Sequence, residues 1–187
     1  MQTPIILASA SPRRKHLLAH LLDDFLIQAA DVDESILKGE KPQELVERLA
    51  KKKAKAIIMN NLNSAVIGSD TVVACNEQIL GKPRNFDDFS NMMQLLSNKW
   101  HQVFTGVCIL HEDRVLSKTV VTSVKMTSIS SQEAEIYWAT KEPQDKAGGY
   151  AIQGIGGQFV EQIKGSFSAV VGLPLLETKQ LLQQLNK

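Results

Sequence analysis

Apolar residues recur along this chain in two rhythms, and the switches between them divide it into elements. Ile5-Ile6-Leu7-Ala8 has no polar interruption and predicts a short buried strand. Ser11 then offers an N-cap oxygen, and Pro12 suits the first helical position. Leu17, Leu18, Leu21 and Leu22 fall on one side of a helix that should run to about Leu22. Residues 25–29 predict a strand, followed by the acidic loop Asp31-Val32-Asp33-Glu34. A second helix should start at Pro42 and reach about Met59. The strongest strand pattern covers 65–74. Asn76-Glu77 can turn it back into a short partner that Gly81-Lys82-Pro83 ends.

Asn85 with Asp88 three residues on predicts a helix leading to Leu96. Residues 103–110 and 115–126 read as two long strands joined by the polar turn His111-Glu112-Asp113. Within the first, Thr105-Gly106-Val107 should pack as strand. Ser130 with Glu133 carries a capping-box pattern for a helix to about Thr140. A glycine-rich segment at 146–150, strand-like material, a Gly172-Leu173-Pro174 turn and a final helix to about Leu185 complete the chain. Strands alternate with helices in the first half, and hairpins occupy the middle. The expected class is therefore α/β, with a mixed, twisted sheet and helices packed on it.

Composition narrows the function classes. The chain has 187 residues, of which 43% are hydrophobic and 22% charged, enough for a core in one domain or in two lobes sharing a cleft. A formal net charge of +1 supplies no bulk attraction to nucleic acid, and 5% aromatics argues against a nucleic-acid module, so any anion site must be local. Cys75 and Cys108 lie singly in apolar runs and are expected to be buried, reduced thiols. No charged-then-apolar leader opens the chain and no apolar run reaches spanning length, so no membrane partner and a cytoplasmic location are expected.

Four segments carry candidate chemistry. In Ser9-Ala10-Ser11-Pro12-Arg13-Arg14, a strand gives way to hydroxyls and a helix start with paired arginines, a combination suited to phosphate. A capped helix with solvated arginines is the alternative. On the helix from Pro42, most of the basic residues should be solvated. Lys53, however, lies on the apolar side with Val46, Ala50 and Ile57, and needs a counter-ion. That counter-ion is either a bound phosphate or a structural carboxylate. In Val66-Ile67-Gly68-Ser69-Asp70-Thr71-Val72-Val73, a carboxylate interrupts a buried strand, which is costly unless it is paired, hydrogen-bonded or metal-bound. Asp70 can hold a metal, orient water or take its proton; the alternative is a polar strand end that fixes a loop. Gly68 on the same strand face would leave room for a ligand. Lys82 sits in a turn stiffened by Pro83. In the segment 145–157, glycines would permit close approach to a ligand, and the Gln153 amide could read a base edge. Walker-type, paired-Cys and His-Glu-x-x-His patterns are missing, and His16 with His20 reads as a surface pair.

The ordered set Leu7-Ala8-Ser9-Ala10-Ser11-Pro12-Arg13-Arg14, Gly68-Ser69-Asp70-Thr71-Val72-Val73, Gly81-Lys82-Pro83, Thr105-Gly106, Asp145-Lys146-Ala147-Gly148 and Val171-Gly172-Leu173-Pro174-Leu175 resembles the Maf family, also called septum formation proteins. The resemblance spans nearly the whole chain and implies a single Maf-like domain over 1–187. It implies an elongated α/β fold of two lobes around a cleft, similar to the inosine triphosphate pyrophosphatases. The implied activity is hydrolysis of a nucleoside triphosphate to the monophosphate and pyrophosphate, with Mg²⁺ or Mn²⁺ as cofactor. Asp70 becomes the catalytic acidic residue. Ser9, Ser11, Arg13, Lys53 and Lys82 become substrate-binding residues, and Glu34 with Asp70 the metal ligands. Arg13, Thr71 and Gln153 resemble the branch acting on dTTP and UTP rather than the one acting on 7-methyl-GTP. The family also implies a homodimer. A non-hydrolytic nucleotide-binding regulator of cell division is the rival reading.

Overall fold

A computed structural model describes residues 3–185 and gathers the predicted strands into one seven-stranded sheet. The elements are β1 (Ile5–Leu7), α1 (Pro12–Leu18), β2 (Leu26–Ile27), α2 (Pro42–Ile58), β3 (Ala65–Cys75), β4 (Gln78–Leu80), α3 (Phe86–Leu96), β5 (Trp100–His111), β6 (Arg114–Met126), α4 (Ser131–Ala139), β7 (Val160–Lys164), α5 (Phe167–Val171) and α6 (Leu175–Leu185). The strand order is β2-β1-β3-β5-β6-β7, with β4 also paired to β3. β1 pairs in parallel with β2 and β3, whereas β3–β4 and β6–β7 are antiparallel, so the sheet is mixed as expected. Asn76 and Glu77 both adopt positive φ, the conformation of a tight two-residue hairpin turn between β3 and β4.

The chain divides into two compact units. The first comprises the chain up to Thr71, Thr105–Val120 and the chain from Gly172. Its core packs Ala50, Ala54 and Ile57 of α2 against Ile6, Val66 and Cys108 of the sheet. The second comprises Val72–Phe104 and Val121–Val171, with a core around Phe89, Met93, Val124, Tyr137, Tyr150 and Phe159. Cys75 and Cys108 are buried and free. Among the described residues no helix is long and apolar enough to cross a membrane.

The predicted caps form. Ser11 accepts the Arg14 N–H, Asn85 accepts the Asp88 N–H, and Ser130 and Glu133 bond reciprocally as a capping box. Three boundaries differ from expectation. Helix α1 stops at Leu18 because the chain tightens into i→i+3 bonds, His20 N–H to Leu17 O and Leu21 N–H to Leu18 O. Strand β2 is only two residues long, because its partner β1 has three and Leu26 lies exposed on the sheet edge. Residues 167–171, read as strand-like, form α5. Gly165 takes φ +129°, and Ser166 then caps the turn by accepting the Ala169 N–H.

Helix α2 buries Leu45, Val46, Leu49, Ala50, Lys53, Ala54 and Ile57 along one stripe. Its distance from the sheet is set by two glycines. A Cβ on Gly68 would overlap the Ala50 carbonyl oxygen and stand 2.8 Å from the Ala54 nitrogen. A Cβ on Gly106 would stand 2.5 Å from the Val46 carbonyl oxygen. The space at Gly68 is therefore filled by helix backbone, which corrects the expectation that it leaves room for a ligand.

The second unit contains a buried histidine. His101 is 3% exposed, its Nε2 lies 2.7 Å from the Tyr150 hydroxyl, and its Nδ1 has no hydrogen-bond partner. Burial pushes its pKa from 6.5 to about 4. The unfolded chain thus binds the proton first as pH falls, so stability contributed by neutral His101 is complete above 6.5 and lost on the way to about 4. The effect is on the order of 3 kcal/mol.

Two outcomes are expected. His101→Gln keeps an acceptor for Tyr150 without a titrating ring, so its melting temperature should fall less than the wild type's between pH 6.5 and 4; thermal melts across that range measure it, and parallel curves would refute it. Gly68→Ala should cost about 1–3 kcal/mol by urea unfolding, because α2 must move off the sheet.

Candidate active site

The close approach of α2 to the sheet brings Lys53 over β3. Lys53 is 7% and Asp70 6% exposed. Lys53 Nζ donates to Asp70 Oδ1 at 2.6 Å and to Glu34 Oε1 at 2.6 Å. One ammonium thus joins a strand carboxylate to a loop carboxylate that remains half exposed. Two negative charges and one positive leave this trio with a net negative charge, facing outward at Glu34. Of the two counter-ions considered for Lys53, the structure supplies carboxylates.

Glu34 is held by its neighbours. Asp33 accepts the Ser35 N–H and hydroxyl, both at 2.9 Å, closing a local turn. From α2, Lys52 Nζ donates to the Asp33 carbonyl at 2.8 Å, and Arg48 donates to the Ser35 carbonyl at 2.9 Å. Arg48 also pairs with both oxygens of Glu40 at 2.5 and 2.8 Å, which raises its own pKa and lowers that of Glu40. Sequence reasoning assigned most basic residues of α2 to solvent and missed these anchors. The available signal was the acidic loop 31–40, with Asp31, Asp33, Glu34 and Glu40, preceding a basic helix.

Beside this trio lies a second polar cluster. Arg14 Nε donates to the Gly172 carbonyl at 2.9 Å, and its terminal nitrogens lie 3.4 Å from the Ser9 and Thr71 hydroxyls. Burial lowers the Arg14 pKa, Asp70 opposes that shift, and the charge of Arg13 adds to it. Ser69, wholly buried, donates to the Gly106 and Gly172 carbonyls at 2.8 and 3.0 Å. Thr105 donates to Thr71 at 3.0 Å. Ser9 also accepts the Ser11 N–H at 3.2 Å. The paired arginines therefore differ: Arg14 is tied to β3 and to the chain before α6, while Arg13, half-buried in the first turn of α1, stands beside it. Sequence reasoning put its weight on Arg13, although Arg14 faced the leucine stripe.

Lys82 and Gln153 belong to the second unit, and both are exposed. Lys82 follows β4 and precedes the buried Pro83, and the neighbouring Gly81 carbonyl accepts the Gly148 N–H at 2.9 Å. The glycine-rich segment packs against protein: a Cβ on Gly148 would meet Val73 at 2.9 Å, and one on Gly149 would meet Phe89 at 2.8 Å. This corrects the expectation that these two glycines serve a ligand.

The donor set fits a hard divalent cation. Asp70 and Glu34 already share one cation in Lys53, and both offer carboxylate oxygens. No three His, Cys, Asp or Glu side chains gather into a metal cage among the described residues. The protein would thus supply two carboxylates, few enough for Mg²⁺, which commonly keeps several waters. His16 and His20 are exposed with rings 5.0 Å apart, and form no such group.

The family model described as Maf-like protein matches residues 4–185. The dTTP/UTP pyrophosphatase of Pseudoalteromonas atlantica is 52% identical over 186 residues, covering 97% of each chain. That of Pseudoalteromonas translucida is 50% identical, covering 98% of this chain and 97% of its own. That of Vibrio parahaemolyticus is 46% identical, covering 96% of each. Among solved structures, a Staphylococcus aureus Ham1 protein is 16% identical, with a TM-score of 0.48 over 66% of this chain and 72% of its own. Since the match runs from the residue before β1 to the end of α6 and takes in the whole Asp70–Lys53–Glu34 trio, the chain belongs to the Maf family.

Proposed function

We infer that this protein is a nucleoside triphosphate pyrophosphatase that hydrolyses dTTP and UTP to the monophosphate and pyrophosphate. The observation that carries the reading is the buried Lys53 ammonium shared by Asp70 and Glu34. Three relatives of near-equal length, at 46–52% identity, bear the name of that activity.

The chemistry asks little of the protein beyond position and charge. Two carboxylates alone would repel a polyphosphate; Lys53 offsets one of the two charges. Asp70 and Glu34 would hold a Mg²⁺ or Mn²⁺ ion, which supplies charge neutralisation on the phosphate oxygens. Arg13 and Lys82 add cations, and Ser9 and Ser11 add hydroxyl donors for the triphosphate. Asp70 accepts the proton of the water that attacks the α-phosphorus. The new P–O bond forms as the bond to the β-phosphate breaks, and pyrophosphate leaves. Gln153 presents an amide to the base, with Arg13 and Thr71 as further selectors. The pyrimidine reading is preferred to 7-methyl-GTP on those three residues. Hydrolysis is preferred to a purely regulatory role because carboxylates beside a bound phosphate serve no purpose in binding alone unless a metal intervenes.

Asp70→Asn should lower kcat by at least about a hundredfold with the fold retained by circular dichroism; turnover within several-fold of wild type would remove Asp70 from the mechanism. Pyrophosphate release should be fastest for dTTP and UTP across a nucleotide panel. It should vanish on chelation and return with Mg²⁺ or Mn²⁺, and a preference for 7-methyl-GTP would move the protein to the other branch.

A further inference from the structure

The carboxylate of Glu142 is devoted to a single loop. Its Oε1 accepts the Tyr137 hydroxyl at 2.7 Å and the Gly156 N–H at 3.0 Å, and its Oε2 accepts the Ile155 N–H at 3.0 Å. The Tyr137 oxygen in turn accepts the Ala151 N–H at 3.1 Å. The loop from Ala151 to Gly156 is therefore gripped on both sides of Gln153, whose side chain is exposed.

The grip is built in. Tyr137 is 1% exposed on α4, its ring packed edge-on against Phe89 and Phe159. A Cβ on Gly154 would overlap the Glu142 carboxylate, so any larger residue there would push that side chain out of its present position. Burial alone would raise the Glu142 pKa, but the bonds from Gly156, Tyr137 and Ile155 outweigh it and hold it below the ordinary glutamate value. Charge-assisted bonds of this kind are the strong ones, and three converge here on one side chain. None of them touches the Asp70–Lys53–Glu34 trio, so the catalytic reading leaves this network without a task.

We propose that Glu142 and Tyr137 are positioning residues for base recognition: they hold the 151–156 backbone so that the Gln153 amide meets the donor and acceptor edge of a uracil or thymine ring. This rests on the reading of Gln153 given above. An amide carries one donor group and one acceptor, so it pairs with that edge only from a fixed position. A site built to hydrogen-bond its substrate discriminates sharply only when its polar groups are preorganised.

The test compares UTP and CTP hydrolysis by Glu142→Gln, Tyr137→Phe and Gln153→Ala in the full chain. Glu142→Gln keeps the side-chain size but surrenders one acceptor oxygen. Tyr137→Phe removes a single oxygen from a packed ring and serves if the other variant does not fold. Both clamp variants should raise KM for UTP about tenfold with a smaller change in kcat, and lower the UTP-over-CTP preference by a similar factor, the loss expected for one hydrogen bond. Gln153→Ala should lower it at least as far. If Gln153→Ala loses the preference while both folded clamp variants keep it, the clamp is overturned and the base reading stands. If Gln153→Ala keeps the preference, both fall. A uniform drop in kcat for every nucleotide would mark the network as merely structural and overturn the proposal.

Discussion

A lysine ammonium held between two carboxylates, with helix backbone pressed against sheet to keep it there, is the arrangement that the packing of α2 on β3 depends on. Lys53 and Asp70 are both buried and meet at 2.6 Å. Such a pair is costly to desolvate and stable only when its geometry is good, because a longer contact would leave two charges out of water without adequate compensation. That geometry follows from Gly68 and Gly106, which let α2 come closer to the sheet than any Cβ would allow. Packing and electrostatics are one constraint here: shifting the helix outward would carry Lys53 away from Asp70.

The same helix organises the loop in front of it. Lys53 points inward to the trio, while Arg48 and Lys52 reach the Ser35 and Asp33 carbonyls that flank Glu34. Basic residues as close as the adjacent Lys52 and Lys53 thus do different work according to their direction. The inward one is buried with carboxylates, and its neighbours satisfy loop carbonyls that lack strand or helix partners. A partly exposed carboxylate gains a defined position in this way.

The second unit uses a carboxylate in the opposite manner. Glu142 lies outside the strands, and although the charge of Lys146 also favours its ionised form, its hydrogen bonds come from elsewhere. Its charge is satisfied by N–H and hydroxyl donors, which converts a glycine-rich loop into an ordered one. The glycines there follow from protein packing: Gly148 rests on Val73, Gly149 on Phe89 and Gly154 on Glu142. The backbone on both sides of Gln153 is thereby hydrogen-bonded to Tyr137 and Glu142.

The elements themselves were written in the order of residues. Ser11, Asn85 and the Ser130–Glu133 box start helices where expected, the β3–β4 turn falls at Asn76-Glu77, and Lys53 and Asp70 stood out as charges on apolar faces. Each of these is a local matter of periodicity, capping or turn geometry, and a burial conflict is visible in a single segment. Partners were not local. That Lys53 would choose Asp70 and Glu34, that Arg14 would bond Gly172 at a separation of 158 residues, and that Gly68 would receive a helix rather than a ligand depend on how close α2 and α6 come to the sheet. The short β2 belongs with these, since its partner β1 has only three residues. Side-chain periodicity reveals which face of an element is buried, but only the packed chain determines what that face meets.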